Sequence, residues 1–162
     1  MTSLPAHHGI RQVRPGSRLM AACDALTATH GPAHSVLPSA CARTYAWQGA
    51  GGNALACISL GVAHAGGGVT VRTLTVHPVC RGYGMGGLIF ARALKSYRGR
   101  IITYAHRDNV ESIRMCIKAG FRIYGYENCF VSLERLPRGR RTPGASGTNT
   151  VAGGRRDAKA SG

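Results

Sequence analysis

One glycine-rich stretch has the residue types and spacing of a phosphate-binding turn. It comprises Arg81, Gly82, Tyr83, Gly84, Met85, Gly86 and Gly87, and it separates a Val/Thr-rich, strand-like run from a helical pattern. Glycines at such a turn let the backbone approach a ligand closely and leave N–H groups pointing outward. The helix dipole and the arginine add positive charge for a phosphate oxygen. The stretch therefore predicts a site for a pyrophosphate-containing ligand.

These glycines also fit a second kind of nucleotide site. Gly82, Gly84 and Gly87 satisfy the dinucleotide-binding pattern G-x-G-x-x-G, and Asp108 follows at about the distance that this fingerprint requires. That fingerprint opens a long doubly wound sheet, for which little chain remains after Gly87. Asp108 and Glu111 also match a helix-capping box, which predicts a structural role for Asp108. A dinucleotide-binding module without acyl chemistry stays as an alternative interpretation.

A larger set of residues resembles the two motifs of the GNAT superfamily of acyl-CoA N-acyltransferases. The family's phosphate motif, Arg/Gln-x-x-Gly-x-Gly/Ala after a strand ending in Val-x-Pro, is matched by Val76, Pro78, Arg81, Gly84 and Gly86. Its second motif, an Asn followed by a small residue and by Gly-Phe at the helix end, is matched by Asn109, Ser112, Gly120 and Phe121. The resemblance covers residues 69–136.

The resemblance implies an α/β (α+β) fold of three layers, in which a mixed, mostly antiparallel sheet of about six or seven strands is flanked by helices. It implies an N-acetyltransferase that moves an acetyl group from acetyl-CoA to a primary amine. We expect one such domain over residues 1–136. Residues 137–162 are rich in Gly, Ser, Thr and Arg, a composition that predicts a disordered basic tail.

The resemblance also implies roles for individual residues. Arg81 and the backbone amides of residues 82–87 would bind the pyrophosphate of coenzyme A. The strand edge at Leu74 and Val76 would hydrogen-bond the pantetheine arm beside a splay in the sheet that admits the thioester. The N–H group of Val76 would then stabilise the negative charge on the carbonyl oxygen.

Two further candidates lie on the following helix. Asn109 and Cys116 are seven residues apart, so they share a helix face about 10 Å apart along the axis. Asn109 would contact the cofactor, or would only cap the helix. Cys116 stands where the family often has the tyrosine that protonates the departing thiolate, and could also be a core residue. The general base stays open, because residues 69–76 contain no carboxylate; the candidates are a relayed water and the side chains of His64, His77, His106 and Tyr104.

Hydrophobic periodicity and turn residues predict the remaining elements. The predicted strands cover residues 10–14, 43–47, 54–63, 69–76, 100–105, 121–126 and 129–136. The predicted helices cover residues 17–29, a segment from the glycine turn to about residue 98, and residues 108–119. The apolar stripe of the second helix is predicted to comprise Ile89, Phe90, Ala93, Leu94 and Tyr97. We expect Gly99 and Gly120 to close the second and third helices.

The net charge of the chain limits which acceptors we expect. The formal net charge of +15 disfavours polycationic acceptors and favours a neutral or anionic small-molecule or protein amine. A second candidate function is modification of a nucleobase amine, or simple nucleic-acid binding through the basic surface and tail.

Six scattered cysteines without a CxxC pair predict free thiols and no metal site. No apolar run approaches the ~18 residues that a membrane span needs, and no signal sequence is present. We therefore expect a cytoplasmic protein without membrane contact.

Overall fold

The computed structural model describes residues 7–33, 35–63 and 68–137, with only the backbone described for His7 and His8. Seven strands follow in the order β1 (His7–Gln12), β2 (Arg43–Gly49), β3 (Ala54–Val62), β4 (Val69–Val76), β5 (Ile101–His106), β6 (Arg122–Glu127) and β7 (Phe130–Arg135). Three helices are α1 (Arg18–His30), α2 (Met85–Lys95) and α3 (Val110–Lys118). The basic tail and His64 of the sequence-based predictions lie outside the described residues.

The strands form one mixed sheet in the order β1-β2-β3-β4-β5-β7-β6. Strands β4 and β5 are parallel, and the other neighbouring pairs are antiparallel. The predicted fold class, a mostly antiparallel mixed sheet flanked by helices, is confirmed. A doubly wound parallel sheet, which the dinucleotide alternative requires, is not what these strands form.

Helices cover both faces of the sheet. On one face, α1 packs Leu19, Cys23 and Leu26 against Ala46 and Cys57 of the strands. The opposite face carries α2 and α3 over the larger core. Four residues of the predicted apolar stripe are buried there, together with one residue of α3 and the aromatic residue that follows it: Ile89, Phe90, Ala93, Leu94, Cys116 and Phe121. The fifth, Tyr97, lies beyond the end of α2 and is partly buried against the same core. Each large apolar side chain buried in this way contributes about 1.5–3 kcal/mol.

Two predicted helix boundaries are wrong. Helix α2 ends at Lys95 and not near residue 98, because the Ser96 hydroxyl and amide both donate to the Ala93 carbonyl and terminate the turn. Gly99 therefore does not close this helix. Helix α3 begins at Val110, and its cap is Asn109, whose Oδ1 accepts from the Ser112 amide at 3.1 Å.

Asp108 does not cap helix α3. Its exposed carboxylate lies 3.4 Å from Nδ1 of His106, outside the helix. The capping box predicted from Asp108 and Glu111 is therefore replaced by the Asn109 cap. At the other end, Gly120 follows the last turn with φ of +86°, a left-handed conformation that suits glycine, so its predicted role at the helix end is confirmed.

Strands β4 and β5 separate soon after they begin to pair. In the described residues they pair only at Val69–Ile101 and Thr70–Ile102. The register of β4 against β3 shifts just beyond this point, which leaves Arg72 as an extra residue on β4. Such a bulge bends the strand that carries it. The bend explains why an opening lies between two neighbouring strands in the middle of the sheet.

No helix among the described residues has both the length and the apolar character needed to cross a membrane.

Candidate functional site

The glycine turn lies at the carboxyl end of β4 and leads directly into α2. Gly82 and Gly84 have φ of +82° and +75°, values that residues with a Cβ rarely adopt. A Cβ at Gly82, Gly84 or Gly87 would meet no atom within 4 Å, so the space in front of the turn is open. The turn thus has the backbone conformation and the clearance that a close ligand requires.

The amides of this turn are available for a ligand. Among the hydrogen bonds of the described residues, none is donated by the backbone N–H groups of residues 82–87. The first amide of α2 that bonds back is that of Leu88, which donates to the Gly84 carbonyl at 3.1 Å. Unpaired amides at a helix N-terminus attract anions. The arrangement can therefore bind a phosphate group.

Side chains around the turn stabilise its position. Met85 is buried in the core below it, so only the backbone of Met85 faces the open space. Tyr83 is exposed. The Arg81 guanidinium donates from Nε to the Val76 carbonyl at 3.2 Å and from Nη2 to the His30 carbonyl at 3.4 Å. Arg81 thereby ties the turn to β4 and α1, and its Nη1 group remains for a ligand.

The edge of β4 next to the turn has unpaired backbone groups. His77 donates its amide to Leu55 on β3 at 2.8 Å, and Thr75 lies opposite Cys57 in the same register. Because hydrogen-bonding directions alternate along a strand, the N–H and C=O groups of Leu74 and Val76 point away from β3. They face the opening between β4 and β5. The Val76 carbonyl accepts from Arg81 Nε, and the two N–H groups and the Leu74 carbonyl can bind an extended ligand.

A cavity of about 640 Å³ occupies this opening. It is lined from β4, β5, α2, α3 and the β6–β7 hairpin; the lining residues nearest to the predicted chemistry are Leu74, Tyr104, His106, Asn109, Ser112 and Cys116. The cavity continues the open edge of β4. A ligand bound at the glycine turn can therefore extend along β4 into the interior of the sheet.

Similar solved structures have the same arrangement of strands and helices. No protein-family model matches the sequence, and neither does any curated protein. Among solved structures, an IAA acetyltransferase from Bacillus cereus is similar with a TM-score of 0.63 at 16% identity, over 80% of this chain and 98% of that one. A GNAT family acetyltransferase from Elizabethkingia anophelis with acetyl-CoA bound is similar with a TM-score of 0.63 at 13% identity, over 80% and 97%. The chain has the GNAT fold.

A third similar structure broadens the range of acceptors seen with the GNAT fold. It is a spermidine/spermine N-acetyltransferase from Vibrio cholerae, with a TM-score of 0.61 at 13% identity over 79% of this chain and 92% of that one. At such low identities the likeness establishes the GNAT fold, and the site residues have to be argued from this chain's own geometry.

Asn109 caps helix α3 and also lies at the cavity. Its Oδ1 caps α3, and the residue also lines the cavity. No hydrogen bond to another described residue involves its Nδ2 group. A single amide side chain can cap a helix with its oxygen and offer its amino group to a ligand. Asn109 can therefore cap the helix and still offer a donor to a ligand in the cavity.

Cys116 is buried and lines the same cavity. Burial raises the pKa of its thiol to about 11, so the group is protonated at neutral pH. It is therefore a poor nucleophile and has a proton to donate. It is also a weak acid, because burial disfavours the thiolate that remains once the proton has left.

The structure places two of the predicted general bases at the cavity and a third away from it. His106 and Tyr104 line the cavity, whereas His77 turns its Nδ1 to the Val79 amide at 3.4 Å and does not line it. Hydrogen bonding with Tyr124, and then partial burial, raise the pKa of Tyr104. His106 accepts from the Asp108 amide through Nδ1 at 3.3 Å, which leaves Nε2 for other partners.

Several cavity residues were not singled out from the sequence. Arg72 lines the cavity from the β4 bulge, and Glu127, Asn128 and Phe130 line it from the β6–β7 hairpin. Asn128 has φ of +52°, which marks a tight turn. The two strands of this hairpin were predicted, but its place beside β5 follows from the strand order β5-β7-β6, for which the sequence has no local signal.

Proposed function

We propose that the protein is an N-acetyltransferase that transfers an acetyl group from acetyl-CoA to a primary amine. The observation that carries the proposal is the succession of three features: open amides at residues 82–87, the N–H groups of Leu74 and Val76 that point away from β3, and the cavity between β4 and β5, which Leu74 lines. Diphosphate, pantetheine arm and thioester require these features in this order. The acetyl-CoA bound to the similar Elizabethkingia protein supports the same ligand.

The residues of the turn fit the charged end of acetyl-CoA. Diphosphate is an anion with several acceptor oxygens, and it would meet unpaired N–H donors, the positive end of the α2 dipole and Arg81. None of residues 81–87 carries a carboxylate that would repel it. Clearance in front of Gly82, Gly84 and Gly87 would let the oxygens reach the amides.

The edge of β4 and the cavity beside it fit the transfer step. Acetyl-CoA would supply an activated acetyl group as a thioester. The Val76 N–H would donate to the carbonyl oxygen as negative charge develops there. The amine nitrogen forms a bond to the carbonyl carbon while the carbon–sulfur bond breaks. Of the two protons that an ammonium gives up, one ends on the departing sulfur and the other is released to solvent.

Two cavity residues are candidates for these proton transfers. Cys116 is protonated and could give its proton to the departing sulfur, then recover one from the acceptor side. His106, or a water beside it, could take a proton from the amine, because its ring borders the cavity. Positioning the two reactants contributes more than either transfer alone, since oriented reactants gain about 7–11 kcal/mol.

The acceptor is proposed to be neutral or anionic overall. A net charge of +15 repels polycations on approach. We therefore do not propose spermidine or spermine, the acceptors of the Vibrio cholerae protein, as acceptors of this chain. Nucleic-acid modification has no supporting feature among the described residues, and the basic tail invoked for it lies outside them.

Thermal unfolding with and without ligands tests the proposal. We expect acetyl-CoA at 100 times its Kd to stabilise the protein by about 2.7 kcal/mol, and NADH at the same concentration to leave the unfolding temperature unchanged. Arg81→Gln should weaken the acetyl-CoA effect, whereas Arg92→Gln, an exposed arginine on α2, should not. Stabilisation by NADH alone would contradict the proposal and favour the dinucleotide alternative.

A further inference from the structure

A second cavity lies at the β1 edge of the sheet, on the face that α1 covers. Its volume of about 760 Å³ is within the range of ligand-binding pockets. It is bordered by the end of β1, the start of α1 and the β2–β3 turn; its charged and amide residues are Arg11, Gln12, Arg14, Arg18, Gln48 and Asn53. It shares no lining residue with the cavity between β4 and β5. The proposed acetyl-CoA site therefore does not account for it.

This second cavity, here called the β1 trough, is elongated along the sheet edge. Gln12 lies opposite Tyr45 of β2, and Gln48 follows three residues farther along β2. Both glutamines line the trough, and three residues of an extended strand cover about 10 Å. Val13 and Leu19 are buried and form its floor. The shape thus suits an extended ligand better than a compact one.

The charged residues that line the β1 trough are all arginines in the described part of the chain. They are Arg11, Arg14 and Arg18. No Asp or Glu of the described residues lines the trough, and the first turn of α1 contains no acidic residue. The positive end of the α1 dipole adds to this potential, although without the arginines it would not form a site. An anionic ligand therefore meets three permanent positive charges and no repelling carboxylate there.

Printed contacts place the arginines along the trough. The Ser17 hydroxyl donates to the Arg14 carbonyl at 2.7 Å, and the Ser17 amide donates to the same oxygen at 3.3 Å. Arg14 and Arg18 therefore flank one tight turn. Arg11 donates from Nη2 to Oε1 of Gln48, which in turn donates from Nε2 to a carbonyl of the β2–β3 turn at 3.4 Å. The trough thus has two arginines at one end and a third farther along it.

The guanidinium groups have donors free for a ligand. Among the described residues, the side chains of Arg14 and Arg18 have no hydrogen-bond or ion-pair partner, and Arg11 has only Gln48. Each guanidinium carries five N–H donors. No aromatic residue in the described part of the chain lines the trough, so a nucleobase would find nothing there on which to stack. The trough is therefore suited to the charge of a ligand and not to a ring system.

We propose that the β1 trough binds a chain of phosphate groups, from a free oligophosphate or from a nucleic-acid backbone. Positive charges spaced along an extended trough match negative charges that repeat along a chain, which a single phosphate does not supply. The planar fork of arginine also pairs with two phosphate oxygens at once. The inference concerns binding alone. It does not depend on the proposed transferase function, because the two cavities share no lining residue.

Calorimetry with sodium tripolyphosphate and the full-length protein tests this inference. Saturating acetyl-CoA is present, so that tripolyphosphate does not occupy the glycine turn; Arg81→Gln without acetyl-CoA provides a second way to separate the sites. We expect Arg11→Gln, Arg14→Gln and Arg18→Gln each to weaken binding about 3- to 10-fold, as the loss of a charge-assisted hydrogen bond implies. Arg92→Gln is the matched control, because this exposed arginine of α2 does not line the trough.

Gly51 allows a charge to be added to the trough without removing a contact. It lines the trough, its φ is not positive, and a Cβ there would meet only Nδ2 of Asn53, at 3.8 Å. Gly51→Asp adds a carboxylate, whereas Gly51→Asn adds the same bulk without charge. We expect Gly51→Asp to bind tripolyphosphate about tenfold more weakly than Gly51→Asn. Equal affinities of these two variants would contradict a phosphate site in the trough.

A short DNA duplex distinguishes the two sources of a phosphate chain. If the source is a nucleic-acid backbone, each arginine substitution should weaken duplex binding and reduce the slope of log affinity against log salt by about one. If the source is a free oligophosphate, the same substitutions should weaken tripolyphosphate binding and leave duplex binding unchanged. The basic residues after Pro137 are present in every variant, so their contribution cancels in the comparison.

Three results would overturn the inference: no binding of either probe, arginine variants that bind both probes as Arg92→Gln does, or arginine-dependent binding of pentaglutamate that is as tight as that of tripolyphosphate. The last result would show a general anion site without preference for phosphate. Loss of acetyl-CoA binding by the unsubstituted protein would instead contradict the proposed function and leave this inference intact. Thermal unfolding without ligand shows that each variant is folded.

Discussion

Gly86 lies directly against Val76, so that a Cβ on the glycine would stand 3.5 Å from Cγ2 of the valine. The first turn of α2 is thereby in contact with the last residue of β4. One residue belongs to the proposed diphosphate site and the other to the proposed thioester site. Because they touch, a shift of the helix start is transmitted to the strand edge, and the two halves of the site are positioned together.

A carboxylate in the glycine turn should abolish acetyl-CoA binding. Gly87 is the cleanest position, because a Cβ there meets no atom within 4 Å and its φ is not positive. Gly87→Asp places a negative charge among the phosphates, whereas Gly87→Asn adds the same bulk without the charge. We expect a loss of about 100-fold or more in affinity for Gly87→Asp, measured by calorimetry. Equal losses in both variants would indicate a steric effect and count against a phosphate site.

Removal of the Val76 N–H group should lower turnover. Val76→Pro deletes an amide that does not bond to β3, so proline is tolerable at this position. Loss of one donor to the carbonyl oxygen typically lowers kcat about 100- to 1,000-fold. Steady-state kinetics measure the effect, and Val76→Ala, which keeps the N–H, is the control. Full turnover in the proline variant would exclude this amide as the donor.

Cys116→Ser should reduce kcat about tenfold, because a general acid assists departure of the thiol. The affinity for acetyl-CoA should stay within about twofold of that of the unsubstituted protein, because this role contributes nothing to binding. Cys116→Ala, which has no proton to donate, should lower kcat at least as much if Cys116 acts as the general acid. With a thiol pKa of about 11, the cysteine loses its proton only near that pH. The kcat of the unsubstituted protein should therefore not rise between pH 7 and 10 through Cys116. A rise lost in Cys116→Ser would reveal a reactive thiolate.

Glu134 should make stability depend on pH in the acid range. Hydrogen bonds from Arg122 and Arg100, both at 2.8 Å, lower the pKa of this buried carboxyl below its ordinary value of 4.5. The unfolded chain then binds more protons, so the contribution is complete above pH 4.5 and is lost as the pH falls through the lowered pKa. We expect Glu134→Gln to cost about 1–3 kcal/mol at pH 7.

Chemical denaturation at pH 7 and pH 3 measures this contribution. The cost of Glu134→Gln should shrink at the lower pH, because pH 3 lies below the ordinary value of 4.5, where the carboxyl of the unfolded chain binds a proton. Glu111→Gln, at an exposed position of α3, should change stability little at either pH. An equal cost of the Glu134 substitution at both pH values would show that packing, and not charge, is responsible.

Much of the fold could be predicted from local patterns. Strand β4 was predicted to the residue, because alternating Thr and Val are bounded by glycines on one side and by Pro78 on the other. The buried stripe of α2 was predicted from its helical spacing. Helix ends were predicted less well, since the choice between Asp108 and Asn109 as the cap depends on where the chain leaves β5.

The sequence by itself determined the glycine turn and the order of the elements, because glycine spacing and hydrophobic periodicity act over a few neighbouring residues. Only the tertiary structure decided the pairing of strands distant in the chain. The order β5-β7-β6 and the bulge at Arg72 bring Glu127, Arg72 and Tyr104 around one opening. Such contacts depend on how the whole sheet closes, and no local pattern encodes them.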